Sequence, residues 1–522
     1  LSDLTIAPVA GEASVDKLYL EVVLPESEAT HLCTTAGGWA ALHDETPPYW
    51  SSQQTSSGAL IGDFVPYIWL TNSDRAFLWV ADSDKGWITE DQRKVATQEI
   101  IHKDGTVTLR INFIEIPATL KGPTTVRYAY QTFPARPLPA GWRSWVCANG
   151  APAGAPSSKI QYFYPNFEGT DWVINWPYYG SPFPHSWERS RAYFDRAAAN
   201  PRSRPTVGAI AHSIGFYRDY EGRQFNDYAV DWGEMPGQLG NCDVTQSRGP
   251  IDFRVYHYDQ WVRRSGMKAI YIDENYIAID RNHLTGGAYL RDDGRLQPGY
   301  TYLGLREYYK RLNYVLHDAG AAKPNLWMHI SSGSAYHAWL GDIFMEGENV
   351  GPSDEEFDYL EVLPAARMRA IGSAKVNGGA MLMMCQANRH TTPLQAKHVH
   401  QVVGWVQAHD ILPEQVLWHA PIAEAARFYR DDVEFVGYWQ PHVPLKAITP
   451  DAIASVHKTA GRALVWIVNT SRQDRTVDVA IDWAKLGLDR ARTIALNAET
   501  GREIALTPAG LSVPTLKRDF VA

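Results

Sequence analysis

The sequence predicts a multidomain α/β protein: a central (β/α)8, TIM-like barrel between an N-terminal β-sandwich and a small C-terminal antiparallel β domain. Three observations predict it. Short alternating apolar runs separated by turn residues fill residues 1–140. Strand-like runs alternate with amphipathic helical ones over 141–437, and the pattern returns to β over 438–522. At 522 residues the chain is too long for one ordinary domain, so three units suit its length.

In the first unit, strands are expected at 17–24, 67–70, 76–81, 106–115 and 125–133, divided by turn signals such as Ser83-Asp84-Lys85-Gly86 and Lys103-Asp104-Gly105. Pro134, Pro137 and Pro139 then stiffen an exit linker. Beyond it, 205–212 reads as a strand and 258–266 as a helix that delivers the chain into a strand over 267–273. A longer helix over 302–319 puts Leu305, Tyr308, Tyr309, Leu312, Val315 and Leu316 on one face. Strands over 325–330, 342–345 and 379–385 and helices over 365–376 and 398–409 continue the cadence. Near-continuous apolar strands are those of a parallel sheet covered on both faces. Counting along the chain puts 270–273 near the fourth barrel strand, 342–345 near the sixth and 380–384 near the seventh. The aromatic segments 161–189 and 214–250 have the length of loops that cover sites. Last, 463–469 and 475–481 read as paired strands, with a helical turn over 482–488.

Composition narrows the function classes. With 45% hydrophobic and 20% charged residues the chain has a large core, and no apolar stretch approaches the roughly 18 residues of a membrane helix. A net charge of −9 and a pI near 6.0 argue against a polyanion partner, nucleic acid included. Nineteen Trp and 27 Tyr fill cores, and their flat apolar faces also suit sugar rings. Cys33, Cys147, Cys242 and Cys385 are scattered without metal-ligand spacing, so they form neither a disulfide framework nor a zinc site, although one bridge stays open. No cofactor and no metal are called for, and oligomeric state is not legible. The numbering opens at Leu1, which fits a trimmed signal peptide and a periplasmic or secreted protein.

The chemistry concentrates where apolar strands stop on acids. Lys268-Ala-Ile-Tyr-Ile272 ends in Asp273 and Glu274, and Asp342-Ile-Phe-Met-Glu346-Gly-Glu348 echoes it. A parallel barrel builds its site at that C-terminal rim. Carboxylates gathered there suit glycosidic hydrolysis, which needs one proton donor and one negative partner. Within a strand Asp273 and Glu274 would point to opposite faces; at the rim the alternation relaxes and both can turn inward. Glu346 and Glu348 share a direction if the backbone stays extended, while Gly347 permits a sharp exit. Like charges so close raise at least one pKa, as a general acid requires. The plainer readings are a helix cap and a surface ion pair for the first two acids, and an Arg-paired or calcium-like cluster for the second two. Asp342 reads as a strand start. His212 and His329 at strand ends, Asn275 after the acid pair, and Trp176 and Trp232 in the aromatic loops are the substrate-contact candidates. Ser331-Ser332-Gly333-Ser334 lacks the context of a nucleophile elbow.

Three segments carry a resemblance. Phe77-Leu-Trp-Val-Ala-Asp82-Ser-Asp84-Lys-Gly86-Trp87 resembles the recurrent element of the N-terminal β-sandwich domain attached to glycoside hydrolase family 123 and its relatives. Asp293-Gly-Arg-Leu-Gln-Pro-Gly-Tyr300, with Glu346-Gly-Glu348, resembles a bacterial group of barrel glycosidases sharing that domain. Leu464-Val-Trp-Ile-Val-Asn469-Thr is similar to the β domain that closes many of them. The resemblance implies cleavage of β-N-acetylgalactosaminides by an adjacent Asp-Glu pair, matched here by Asp273 and Glu274. The Glu protonates the leaving oxygen and the Asp steadies the substrate's own acetamido group. Glu346-Gly-Glu348 departs from that scheme, which has no need of it.

Two mechanisms therefore stand. In one, Asp273 is the nucleophile and Glu346 or Glu348 the acid/base of a retaining, exo-acting glycosidase working on a bacterial, plant or host glycan. In the other, Glu274 is the acid of a substrate-assisted β-N-acetylhexosaminidase and Asp273 its orienting residue. A carbohydrate-binding protein without catalysis and a polysaccharide lyase are the alternatives of other classes.

Overall fold

The structure is a computed structural model. It describes residues 1–36, 39–43, 45–54, 64–89, 96–147, 161–164, 187–188, 191–192, 195, 203–210, 213–214, 229–230, 241–242, 248–265, 269–273, 275, 277, 279–320, 325–330, 340–347, 358–383, 396–413, 422, 428 and 430–522.

Period-two alternation builds the N-terminal layers. Burial alternates along Leu18–Pro25, whereas Tyr67–Thr71 and Ala76–Val80 are buried throughout, as central strands are. One antiparallel sheet runs Ser2–Ile6, Thr124–Phe133, Ala76–Val80, Tyr67–Thr71, His31–Ala36, Trp39–His43; the other runs Leu18–Pro25, Thr106–Ile114, Gln98–Lys103, Tyr49–Ser51. The expected turn at Lys103-Asp104-Gly105 closes the hairpin of Gln98–Lys103 and Thr106–Ile114. Asp104 and Gly105 take φ of 52° and 75°, the pair of positive values a two-residue hairpin demands. Phe113 of one sheet lies 5.5 Å from Tyr128 of the other and 5.0 Å from Trp87, so the inner faces share one aromatic core.

The middle of the chain forms an eight-stranded sheet in chain order: Trp145–Cys147, Gln161–Tyr164, Ser203–Ile210, Ala269–Asp273, Asn325–His329, Ile343–Glu346, Ala380–Met383, Leu412–Pro413. Every neighbouring pair is parallel. The strands ending on Asp273, Glu346 and Met383 are the fourth, sixth and seventh, as the sequence predicts. The first and eighth strands also approach each other. One face, with Tyr271, Trp327, Ile343, Met345, Ala380, Leu382 and Leu412, packs on Trp142. The opposite face, with Ile270, Ile272, Leu326, Met328, Phe344, Met381 and Met383, joins the core that holds the helices.

Helix Tyr302–Asp318 buries all six residues of its predicted face. Helix Arg248–Ser265 begins ten residues before the expected 258, because Arg254 and His257 interrupt a stripe in which Ile251, Val255, Tyr258 and Val262 are buried. The expected helix over 365–376 is Ala365–Gly372 followed by the 3-10 turn Ser373–Asn377, closed by Gly378 at φ 84°.

One pairing differs from expectation. Arg462–Asn469 pairs with Ala452–Thr459, while Arg475–Ile481 belongs to a separate sheet with Leu445–Ala447 and Gly510–Thr515. Asn469 turns the chain between the layers, its side-chain amide donating to Gln473 O, Thr515 O and Leu516 O. The first strand of this unit, Glu434–Val436, pairs with Ala452–Thr459 and lies ahead of residue 438. Beneath it, Asp410 meets Arg143 at 3.1 Å, Lys375 at 3.3 Å and His457 at 2.9 Å. Burial opposes ionisation of Asp410, and these three groups outweigh it, holding the carboxyl well below its ordinary range. Among the described residues, no helix is long and apolar enough to cross a membrane.

Candidate active site

Strand register gathers three of the expected residues at one level. Asp273 closes the fourth strand opposite Ile210. His329 closes the fifth in register with Met345, and Glu346 follows at the end of the sixth opposite Met383. Three consecutive parallel strands thus stop together, at the carboxyl end where such sheets place their sites.

Around His329 the contacts are specific. His329 is 5% exposed, and its Nδ1 lies 2.5 Å from the Tyr271 hydroxyl. Tyr271 stands edge-on to Trp327 at 5.2 Å, which fixes the phenol from below. Tyr271 is the functional candidate that sequence reasoning missed. It sits two residues before Asp273, and the period of a strand was the signal available.

Glu346 is half-buried, and its Oε1 accepts the Gly347 N–H at 3.1 Å. Burial pushes its pKa up to about 8; that N–H and the nearby His329 offset the rise only in part. The shift favours the protonated carboxyl. Gly347 takes φ 106°, so the chain leaves the strand at once and the extended geometry that would aim Glu346 and Glu348 alike ends there. In the strand alternation Met345 belongs to the inner cluster and Phe344 to the helix side, so Glu346 relies on its terminal position to reach His329.

Asn275 is placed differently. It is 1% exposed, and its amide oxygen accepts from the Tyr309 hydroxyl of helix Tyr302–Asp318, which engages it with the helical layer. Asp342 is a strand start, as expected, with Arg136 Nη1 at 3.0 Å and the Leu326 N–H donating to it. Glu274, Glu348, His212, Trp176 and Trp232 lie outside the described residues, as does the Asp273 side chain. Cavities bounded by described residues, of about 550, 350 and 590 Å³, are not lined by Asp273, His329 or Glu346. Among the described residues, no group of three or more His, Cys, Asp or Glu is arranged to hold a metal ion.

Comparison with family models gives a match to part of the chain. Residues 416–503 match the family described as glycoside hydrolase 123, C-terminal domain. Glycoside hydrolase is the enzyme class that this match supports. No curated protein matches the sequence. Among solved structures, a family 36 α-galactosidase from Geobacillus stearothermophilus aligns at TM-score 0.48 and 10% identity, covering 96% of this chain and 75% of that one. An α-galactosidase from Lactobacillus brevis aligns at TM-score 0.47 and 12% identity, covering 96% and 74%. An α-amylase from Geobacillus thermoleovorans, complexed with acarbose, aligns at TM-score 0.45 and 7% identity, covering 72% and 87%. At TM-scores below one half, these likenesses decide nothing about activity.

Proposed function

We propose that this chain is a retaining, exo-acting glycosidase, with Asp273 as nucleophile and Glu346 as acid/base. The observation that carries the reading is Glu346: a carboxyl raised to about 8 by burial, at the end of the strand two places along from the one that stops on Asp273. An acid that keeps its proton at pH 7 can deliver it to a leaving glycosidic oxygen, and the ionised partner attacks the anomeric carbon. Water then gives a proton to the Glu346 carboxylate and attacks the anomeric carbon, breaking the bond to Asp273 and releasing the sugar. Retention calls for roughly 5–5.5 Å between the two carboxyl groups. Tyr271 and His329 supply hydroxyl and imidazole donors between them, and Glu348, Trp176, Trp232 and His212 are assigned to the sugar. In this reading the eight parallel strands close into a (β/α)8 barrel. The sandwich over 1–140 and the terminal β unit flank it, with the last boundary moved ahead of Glu434. The substrate is a glycan met outside the cytoplasm.

The match at residues 416–503 favours a second reading, a substrate-assisted β-N-acetylhexosaminidase with Glu274 as acid and Asp273 holding the acetamido group. One experiment separates them. A panel of α- and β-nitrophenyl glycosides, 2-acetamido sugars included, is assayed with the wild type, Asp273→Asn, Glu274→Gln and Glu346→Gln. Both readings require Asp273→Asn to lose at least about 10²-fold in rate with its fold intact. Loss on Glu346→Gln supports the first; loss on Glu274→Gln, confined to 2-acetamido substrates, supports the second. An Asp273→Asn protein with near-normal turnover would contradict both.

A further inference from the structure

Two buried carboxylates of the N-terminal sandwich are spent on one loop of the parallel-sheet unit. Asp82, 4% exposed, accepts the Leu303 N–H with both oxygens, at 3.1 and 2.9 Å, and its main-chain carbonyl accepts Tyr300 N at 2.7 Å. Asp84, also 4% exposed, accepts the Tyr289 hydroxyl at 3.0 Å and Gln297 Nε2 at 2.9 Å. Burying carboxylates costs free energy that apolar packing would avoid, so two of them aimed at one segment point to geometry and not adhesion.

That segment is the excursion leaving the fourth strand after Asp273. Ile279–Asp280 and Gly299–Tyr300 pair antiparallel at its base. The approach there is close: a Cβ on Gly299 would lie 2.1 Å from Gly287 O and 3.1 Å from Asp82 O. Tyr300 stacks on Phe64 of the sandwich at 6.1 Å. The chain then enters helix Tyr302–Asp318, whose N-cap residue Thr301 provides no side-chain cap bond. Asp82 provides the cap from the other unit. It satisfies an N–H of the first turn and sets a negative charge against the positive end of the helix dipole. Farther along the same helix, the Tyr309 hydroxyl donates to Asn275, two residues past Asp273.

We propose that Asp82 is a positioning residue for the rim acid Asp273, acting through helix Tyr302–Asp318, Tyr309 and Asn275. The inference rests on the function proposed above. It gives the sandwich a part in turnover, since displacing a reacting group by about 1 Å can cost on the order of 10²-fold in rate.

The test pairs turnover with amide hydrogen exchange in the full chain. Asp82→Asn and Tyr309→Phe are each expected to lower kcat about tenfold or more on a glycoside the wild type cleaves, with KM within about threefold. Both are expected to raise exchange at residues 274–303 while the C-terminal sheets stay protected. Asp3→Ala, which removes an exposed pair with Arg127 on the same sandwich, is expected to move neither readout. Unchanged kcat in Asp82→Asn and Tyr309→Phe would overturn the proposal, even with exchange raised, since Asp82 would then only dock the sandwich. If the wild type cleaves no glycoside, the proposed function falls and exchange alone decides. Lost protection around Asn275 in Asp82→Asn would uphold the coupling, and retained protection would overturn it.

Discussion

The sixth parallel strand, Ile343–Glu346, has an acid at each end, and the two have different surroundings. At its start, Asp342 is raised by burial, and Arg136 and the Leu326 N–H pull against that rise. Arg136 comes from the linker after the sandwich and also donates to Asn377 O at 3.0 Å, so this acid ties the linker to the base of the sheet. At its finish, Glu346 is raised to about 8, and no Lys or Arg pairs with it among the described residues. A carboxyl with a cation beside it is a fastener. Under the function proposed above, a desolvated carboxyl whose described neighbours are an N–H and a histidine serves as a proton store. Under that proposal, the difference between the ends of one strand follows the division of a parallel barrel into a supporting face and a working face.

The comparison breaks first at Glu346. Glu346→Gln should lower kcat/KM by roughly 10²–10⁴-fold on a cleaved glycoside, with the melting temperature unchanged or raised, because an amide needs no proton to be buried. Steady-state rates and a thermal melt check both halves. Asp342→Asn should do the opposite. It leaves Arg136 facing a lost charge and should cost roughly 2–3 kcal/mol in denaturant titration. That is less than the ~3–5 kcal/mol of a fully enclosed pair because Arg136 keeps contact with water. Its kcat should stay within about threefold of wild type. The smallest effect is on the pH dependence of stability. A carboxyl raised in the folded state contributes stability below its ordinary value, 4.5 for Glu346, which is lost as pH rises through about 8. Wild-type stability should therefore fall between about pH 5 and 8, by well under ~1.4 kcal/mol per unit since Glu346 is partly exposed. Glu346→Gln should make that window shallower, leaving the fall above about pH 6.5 contributed by His400, whose burial is outweighed by Asp519 and Glu499 so that its pKa is raised to about 9. Asp342→Asn should alter only the acidic side. Equal slopes in all three proteins would erase the distinction between the two ends.

Much of the architecture was legible because it is written locally. Strand period and helical stripe located Thr106–Ile114, Tyr302–Asp318 and the rim strands to within a residue or two. Partners are another matter. Nothing near Arg462–Asn469 tells it to pair with Ala452–Thr459 instead of Arg475–Ile481, because sheet membership depends on where Asn469 turns the chain. The rim acids were visible as breaks in apolar runs. Asp84 reads as part of the Ser83–Gly86 turn signal, and Asp82 only as the residue before it, since a buried carboxylate that accepts from a distant segment has the same local sequence as one that closes a loop. The bond of Asn275 is hidden for a similar reason: its partner, Tyr309, lies on the far side of the Ile279–Tyr300 excursion.

The most direct test is the pH profile of kcat/KM for the wild type beside Glu346→Gln, on one responsive glycoside. An alkaline limb near pH 8 in the wild type, absent from the residual activity of Glu346→Gln, is the result expected of a buried carboxyl that must be protonated to act. The same limb persisting in Glu346→Gln, or full activity without that carboxyl, would contradict the account.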